Sequence, residues 1–438
     1  MRSLLLCLLC LLCRALPAAA GTLELDAHAL LPAATFVAPP RGAPADLREA
    51  GKFTGPGNLR NGEVGSAPAS TGPALGNRPT GLALPFRGQP VQGISGIVDA
   101  GDGTWWALSD NGFGTRRNSP DAMLMIHRLR IDFARGTVRR LETVFLRDPR
   151  AVIGYRITHE GTRGRYLTGA DLDPESLVAD ADGFWIGDEF GPYLLRVDRH
   201  GVVTDWIEAR LDGAVLRSPE HHAPDPAAPP PVQRSGGFEA LAAEPGGARL
   251  WAMLEKPLLD AHGQPEGHFL RMLAFDPARR AWTGAQRRVP LAARATSVGD
   301  LALDRDGSAW ILERDGGEGD PGRACADGAT TACFVNPARH RQLVRLAGAG
   351  DDGAPMRRIA AHDLLDVADP RGLARQRGDT ALAAGRFGLP FATPEGLALR
   401  PDGRVLVVND NNLPFSAGRF LLRADDTEFT LLRLPAPP

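Results

Sequence analysis

One motif recurs five times in this chain and restricts what it can fold into. A small or acidic residue stands two before an apolar one. A tight turn follows, then a strand-like apolar run that closes on acidic or amide groups. The copies open at Ser95-Gly96-Ile97, Glu175-Ser176-Leu177, Glu239-Ala240-Leu241, Asp300-Leu301-Ala302 and Glu395-Gly396-Leu397. Their turns are Asp102-Gly103, Asp182-Gly183, Gly246-Gly247, Asp306-Gly307 and Asp402-Gly403. Trp106, Trp185, Trp251 and Trp310 mark the second run in four copies, and Val405 to Val408 takes that place in the fifth. Asp-Gly or Gly-Gly between two short apolar runs signals a hairpin, because both turn residues tolerate positive φ. Further strand-like runs lie between copies, at Met123 to Phe133, Leu194 to Asp198, Leu270 to Asp276 and Gln342 to Leu346.

Four strands per repeat is the blade of a β-propeller. The expected fold is therefore all-β, one propeller domain over residues 21–438 with loop insertions. The copies are further apart than the ~40–50 residues of a bare blade, so loops such as Arg217 to Ser235 and Asp315 to His340 read as insertions. The run His221 to Pro231 is Pro-rich and acidic and reads as an exposed loop. Asp363 to Ala384 is the one stretch that suggests a short helix. Strand-like segments at Leu23 to Val37 and Phe420 to Leu434 lack the motif. Joining first and last strands in one blade would remove two sheet edges. Counting these segments beside the five copies predicts six blades, with five or seven allowed.

Residues 1–20 read as a secretory signal, with Arg2 ahead of the apolar run Leu4 to Cys13 and a small-residue cleavage site at Ala18-Ala19-Ala20. The chain is expected to be exported, to the periplasm or the medium. No later segment is long and apolar enough for a membrane helix. Cys325 and Cys333 remain after cleavage and are expected to pair in an oxidising compartment. The formal net charge of −2 argues against nucleic acid or an acidic membrane surface as partner. Lys52 and Lys256 are the only lysines, so any anion site here is built from guanidinium groups for the most part.

The acids are the chemically informative residues. Those opening each copy recur once per blade on the strand nearest the axis, so Glu175, Glu239, Asp300 and Glu395 should converge, with Ser95 in the same place. Those closing the second strand, Asp110, Asp188, Glu189, Glu255, Glu313 and Asp410, should meet them at one mouth. Crowded carboxylates must bind cations, pair with arginine or take up protons. Calcium suits such a group, because it accepts six to eight oxygens in loose geometry. A repeated acid can equally do no more than hold a blade turn through backbone amides. On this reading Glu175, Glu239, Glu395 and Asp188 are the candidate catalytic carboxylates. Asp110, Glu189, Asp300, Glu255, Glu313 and Asp410 are candidate calcium ligands. Arg116, Lys256 and Arg314 are candidates for neutralising the substrate anion. The sequence shows no zinc-type His/Cys spacing and no Gly-x-Ser-x-Gly elbow.

Several of these runs resemble a known family. Gly93 to Ile97 with Trp106 to Gly112, Asp173 to Leu177 with Trp185 to Leu194, Gly237 to Leu241, and Pro394 to Leu397 are similar to the phytase-like family described as "esterase-like activity of phytase". The likeness covers residues 90 to 415, and the run Gly187 to Tyr193 is its most specific part. It implies a bacterial exported propeller with phosphoester or ester hydrolase activity on a small molecule. Acidic propeller sites also hydrolyse lactones and carboxylic esters, as in gluconolactonase-like proteins. A non-catalytic binding or scaffold propeller is the third alternative.

Overall fold

The computed structural model describes residues 21–60, 65–326, 329, 332–348 and 350–435. The expected signal peptide lies outside the described residues. Apart from single-turn 3-10 segments such as Ala45–Arg48, the regular structure among the described residues is strand. The stretch Asp363 to Ala384 holds no helix; it is irregular, with Val367–Ala368 paired to Arg386–Phe387.

Among the described residues the chain forms five antiparallel four-stranded blades. The first comprises Ile94–Asp99, Trp105–Ser109, Met125–Asp132 and Thr137–Phe145. The second comprises Pro174–Ala179, Gly183–Asp188, Tyr193–Asp198 and Val203–Glu208. The third comprises Phe238–Ala243, Leu250–Leu254, Phe269–Asp276 and Ala281–Pro290, with Asp352–Pro355 added in parallel at its edge. The fourth comprises Ser297–Leu303, Ala309–Arg314, Arg341–Ala347 and Arg357–Asp363. The fifth comprises Thr393–Leu399, Arg404–Asp410, Thr427–Arg433 and Glu24–Leu31. The first strand named in each blade is innermost. These inner strands pack side by side in order, and Thr393–Leu399 against Ile94–Asp99 closes the ring.

The blades coincide with the five copies of the motif, so the expectation of six is corrected to five. The strands at the two ends do not make a blade of their own. Glu24–Leu31 pairs antiparallel with Thr427–Arg433, from Glu24 opposite Arg433 to Leu31 opposite Thr427, and completes the fifth blade. The sharing of one blade by both ends is as expected, and it covers two edges that would otherwise offer unpaired backbone.

The core lies in wedges between neighbouring blades. Trp106, Leu108, Phe184 and Ile186 fill the first wedge. Trp251, Met253, Val298 and Ile311 fill the wedge between the third and fourth blades. At the turn-bearing end the blade tryptophans are capped by arginines: Arg128 over Trp106, Arg196 over Trp185 and Arg345 over Trp310. Arg128 and Arg345 also pair with the turn residues Asp102 and Asp306, so these turn acids are structural.

The opposite end carries the long loops, because both the second-to-third-strand connections and the blade-to-blade crossings emerge there. The segment between Leu31 and Ile94 lies on this end. Its buried Arg78 bonds Glu318 of the fourth blade's loop and the carbonyls of Ala417 and Leu421 in the fifth blade's loop, at 2.9 and 2.8 Å. Cys325 and Cys333 form the expected disulfide in the fourth blade's loop.

Candidate functional site

At the loop-bearing end every inner strand breaks register at the same place. Ile94 faces Ser109 and Gly96 faces Leu108, which leaves Ser95 unpaired. Glu175, Glu239 and Glu395 are left over in the same way. In the fourth blade Val298 faces Glu313 and Leu301 faces Ile311, so the extra residue falls at Gly299-Asp300. A bulge takes one residue out of the alternation and re-aims its side chain. Here it turns one side chain per blade toward its counterparts, and carboxylates far apart in the chain become neighbours.

A second tier surrounds the first. Asp110, Glu189 and Glu255 donate their amides to the carbonyls of Gly93, Asp173 and Gly237, each at 2.9 Å. Arg314 and Asp410 hold the same position opposite Ser297 and Thr393. The second tier is therefore four acids and one arginine. Two glycines allow this approach. A Cβ on Gly93, whose φ is +59°, would lie 2.2 Å from Oδ1 of Asp110, and one on Gly237 would lie 2.2 Å from the carbonyl oxygen of Glu189.

The two tiers meet. Nη2 of Arg314 lies 2.8 Å from Glu255, 3.3 Å from Glu395 and 3.8 Å from Glu239. Nζ of Lys256 lies 2.9 Å from the other oxygen of Glu255. Ser95 donates its hydroxyl to Glu395 at 3.3 Å. One oxygen each from Asp173, Glu175 and Glu189 lie within 4.8 Å of one another, and so do oxygens from Glu189, Glu239 and Glu255. Glu189 is common to both trios. Oε1 of Glu239 is buried without a hydrogen-bond partner. Such an arrangement fits a hard cation: oxygens bonded to one calcium ion at 2.3–2.6 Å are at most about 5 Å apart.

The electrostatics follow from burial. Burial, and then neighbouring carboxylates, push Glu175, Glu189 and Glu239 well above the usual carboxylate range. Asp173 and Asp410 are raised for the same reasons. Burial raises Glu395 to about 7 against the pull of Arg314, and Asp110 to about 6 against the amide of Gly112. Burial works against the charge on Arg314, but Glu255, Glu395 and Glu239 outweigh it and hold the guanidinium charged. Lys256 is raised likewise, by Glu255 and Glu189.

The sequence-predicted residues divide accordingly. Glu175, Glu239, Glu395, Asp110, Glu189, Glu255, Asp410, Lys256 and Arg314 come together. Asp188 does not: its oxygens accept the amides of Asp173 and Gly191, both at 2.8 Å. Asp300 sits at the bulge but accepts the amides of Leu301 and Leu397, both at 2.7 Å, and so ties the fourth blade to the fifth. Glu313 is one residue out of step with the second tier and faces away, to Arg358 at 2.6 Å and His340 at 2.9 Å. Those partners hold it below the usual range although burial alone would raise it. Arg116 is committed to backbone carbonyls, of Ala170 at 2.9 Å and Glu220 at 2.7 Å. These four are holders of loops and blades. Asp173 joins the residues that come together and is not among the candidates read from the sequence; it lies opposite Glu189, just before the bulge that re-aims Glu175. It also accepts Asn111 Nδ2 at 2.7 Å.

A profile of the family described as "Esterase-like activity of phytase" matches residues 89–413. The chain belongs to this phytase-like family. The matched region runs from just before the first bulge to just past Asp410, so the whole acidic mouth of this phytase-like chain lies within it. An "Uncharacterized secreted protein" of Arthroderma benhamiae is 31% identical over 134 residues, 26% of this chain and 25% of the relative. The chain thus spans about a quarter of that relative's length. Among solved structures, the periplasmic gluconolactonase of Pseudomonas aeruginosa aligns over 81% of this chain and 92% of its own, at 13% identity and a TM-score of 0.33. A structure titled as a putative 6-phosphogluconolactonase from Bacteroides uniformis aligns over 75% and 68%, at 13% identity and 0.31. Scores this low carry no argument, and the propeller assignment rests on strand order. Among the described residues no helix is long and apolar enough to cross a membrane.

Proposed function

We propose that this phytase-like chain is an exported, calcium-dependent hydrolase of small phosphate esters, with its reaction centre at the loop-bearing mouth of the ring. The observation that carries the proposal is the pair of carboxylate trios sharing Glu189, with Arg314 set among Glu239, Glu255 and Glu395. Asp173, Glu175, Glu189, Glu239 and Glu255 would hold the cation. When bound, it would polarise the ester oxygen and acidify water. Export is supported by the disulfide and by the secreted relative.

The chain's own groups have separable tasks. Glu395, raised to about 7 by burial, is suited to hold or release a proton near neutral pH, where a general base is most effective. Ser95 orients it through its hydroxyl. Arg314, kept charged, offers donors to the anionic part of a substrate, and its buried Nε has no partner. Lys256 adds a second positive charge at the rim. In the absence of cations or protons the carboxylates outnumber these two groups and would repel a phosphate, so activity should depend on a divalent ion.

A second reading has one observation in its favour. With Arg116 committed to backbone carbonyls, the anion-neutralising set shrinks, which suits a less charged carboxylic ester or lactone. One experiment covers both. The purified chain is assayed on phytate, an aryl phosphate, an aryl carboxylic ester and a sugar lactone, with calcium or with chelator. Phosphate release that needs calcium, and that falls at least tenfold in Glu189→Gln, supports the first reading. Calcium-dependent turnover confined to the ester or lactone transfers the proposal to the second. No metal-dependent turnover on any of them refutes both.

A further inference from the structure

A second cluster of metal-binding type lies away from the mouth, at the outer edge of the second blade. Glu208 ends the outermost strand, and His221-His222 opens the Pro-rich stretch of the loop that follows. One ligand atom from each of the three lies within 4.8 Å of the others. The sequence shows no zinc-type spacing because the donors are 13 residues apart on a strand end and a loop. The loop reads as exposed, yet its first histidine is 3% exposed.

The geometry between Glu208 and His221 is informative. Nε2 of His221 lies 3.3 Å from Oε1 of Glu208, but it is buried and has no hydrogen-bond partner. Two donors each about 2.0–2.1 Å from a tetrahedral zinc ion are about 3.3 Å apart. The pair therefore stands at the separation of two ligands of one ion while failing the direction of a hydrogen bond. We propose that Glu208, His221 and His222 bind a zinc-type divalent transition metal ion, which pins the loop after the second blade to that blade's outer strand. Two imidazoles and one carboxylate form a donor set that suits zinc and leaves the remaining tetrahedral position to water.

The surroundings are those of a ligated histidine pair. Nδ1 of His222 lies 2.9 Å from the hydroxyl of Tyr193, an outer partner that orients the ring and leaves Nε2 for the metal. The ring of Tyr155 stacks on His222, centroids 5.3 Å apart. Nδ1 of His221 accepts the amide of Ala223 at 3.1 Å, which places the ring proton on Nε2 in the metal-free chain. Binding moves that proton to Nδ1 and gives up the Ala223 contact, with no net release of a proton. Glu208 also lines a surface cleft of about 620 Å³ with Trp206, Arg210, Asp212 and Trp282, which provides an entry path.

The test uses the full chain, stripped with chelator and dialysed into excess calcium so that the mouth is saturated. Zinc titrated by calorimetry should bind at one equivalent per chain. Glu208→Gln and His222→Gln should each weaken it at least tenfold, while Glu189→Gln at the mouth leaves it unchanged. Cobalt bound to the unaltered chain should give the intense visible bands of tetrahedral coordination, a readout that needs no variant. Zinc binding that survives both substitutions, no zinc binding, or a weak octahedral cobalt spectrum would overturn the proposal.

Discussion

Replacing Glu395 with glutamine should stabilise the metal-free protein at pH 8 and leave it nearly unchanged at pH 5. Glu395 is 4% exposed, and burial raises its pKa from 4.5 to about 7 even with Arg314 3.3 Å away. The sign follows from linkage. A carboxyl whose pKa is higher folded than unfolded contributes fully below its unfolded pKa, and the contribution is lost as pH rises through the folded value. A shift of this size corresponds to about 3 kcal/mol at pH 8. Glutamine resembles the protonated acid and escapes that loss. The assay is urea unfolding of both proteins in chelator at pH 5 and pH 8. The variant's gain should be about 3 kcal/mol at pH 8, less than about 1 at pH 5. Millimolar calcium, held by carboxylates other than Glu395, should stabilise both proteins, by ~2.7 kcal/mol for calcium at a hundred times its dissociation constant. A variant no more stable at pH 8, or equally favoured at both pH values, would refute the claim that the mouth stores electrostatic strain.

Two further outcomes are expected. Glu428 is buried among His28, Arg419 and Gln376, and although burial alone would raise it, Arg419 and His28 hold it at about 2. Glu428→Gln should cost about 3 kcal/mol at pH 7, a loss that fades as pH falls below 4 toward 2, read by urea unfolding across that range. Replacing Cys325 and Cys333 together by serine opens a loop with a sequence separation of 8 and should cost about 2–3 kcal/mol, read from the urea midpoint, with turnover unaffected.

Much of the ring could be read from the chain. Each Asp-Gly or Gly-Gly hairpin became the inner half of a blade, since that turn chemistry is local and needs no partner. Six blades are expected because Glu24–Leu31 and Thr427–Arg433 read as strands without the motif and count as a blade of their own, whereas they supply the third and fourth strands of the fifth copy's blade. The site shows the same division. Glu175, Glu239 and Glu395 repeat with the motif and could be found by alignment of its copies. Glu313 and Arg314 could not be told apart, because a one-residue register decides which faces the mouth, and the bulge that sets it has no composition of its own. Asp300 occupies the expected position, but nothing in the sequence reveals that the amide of Leu397, on the next blade, claims its carboxylate.

The clasp between the chain's two ends has a bearing on when the mouth can exist. Asp410 and Glu395 belong to the blade that Glu24–Leu31 completes, and the ring shuts when that blade's inner strand, Thr393–Leu399, packs on Ile94–Asp99. Until then the first four blades can assemble from contacts nearer in the chain while their acids still face water, where mutual repulsion is weak. The molecule thereby postpones its least comfortable juxtaposition to the final step of assembly, and a cation arriving then would act as the rivet.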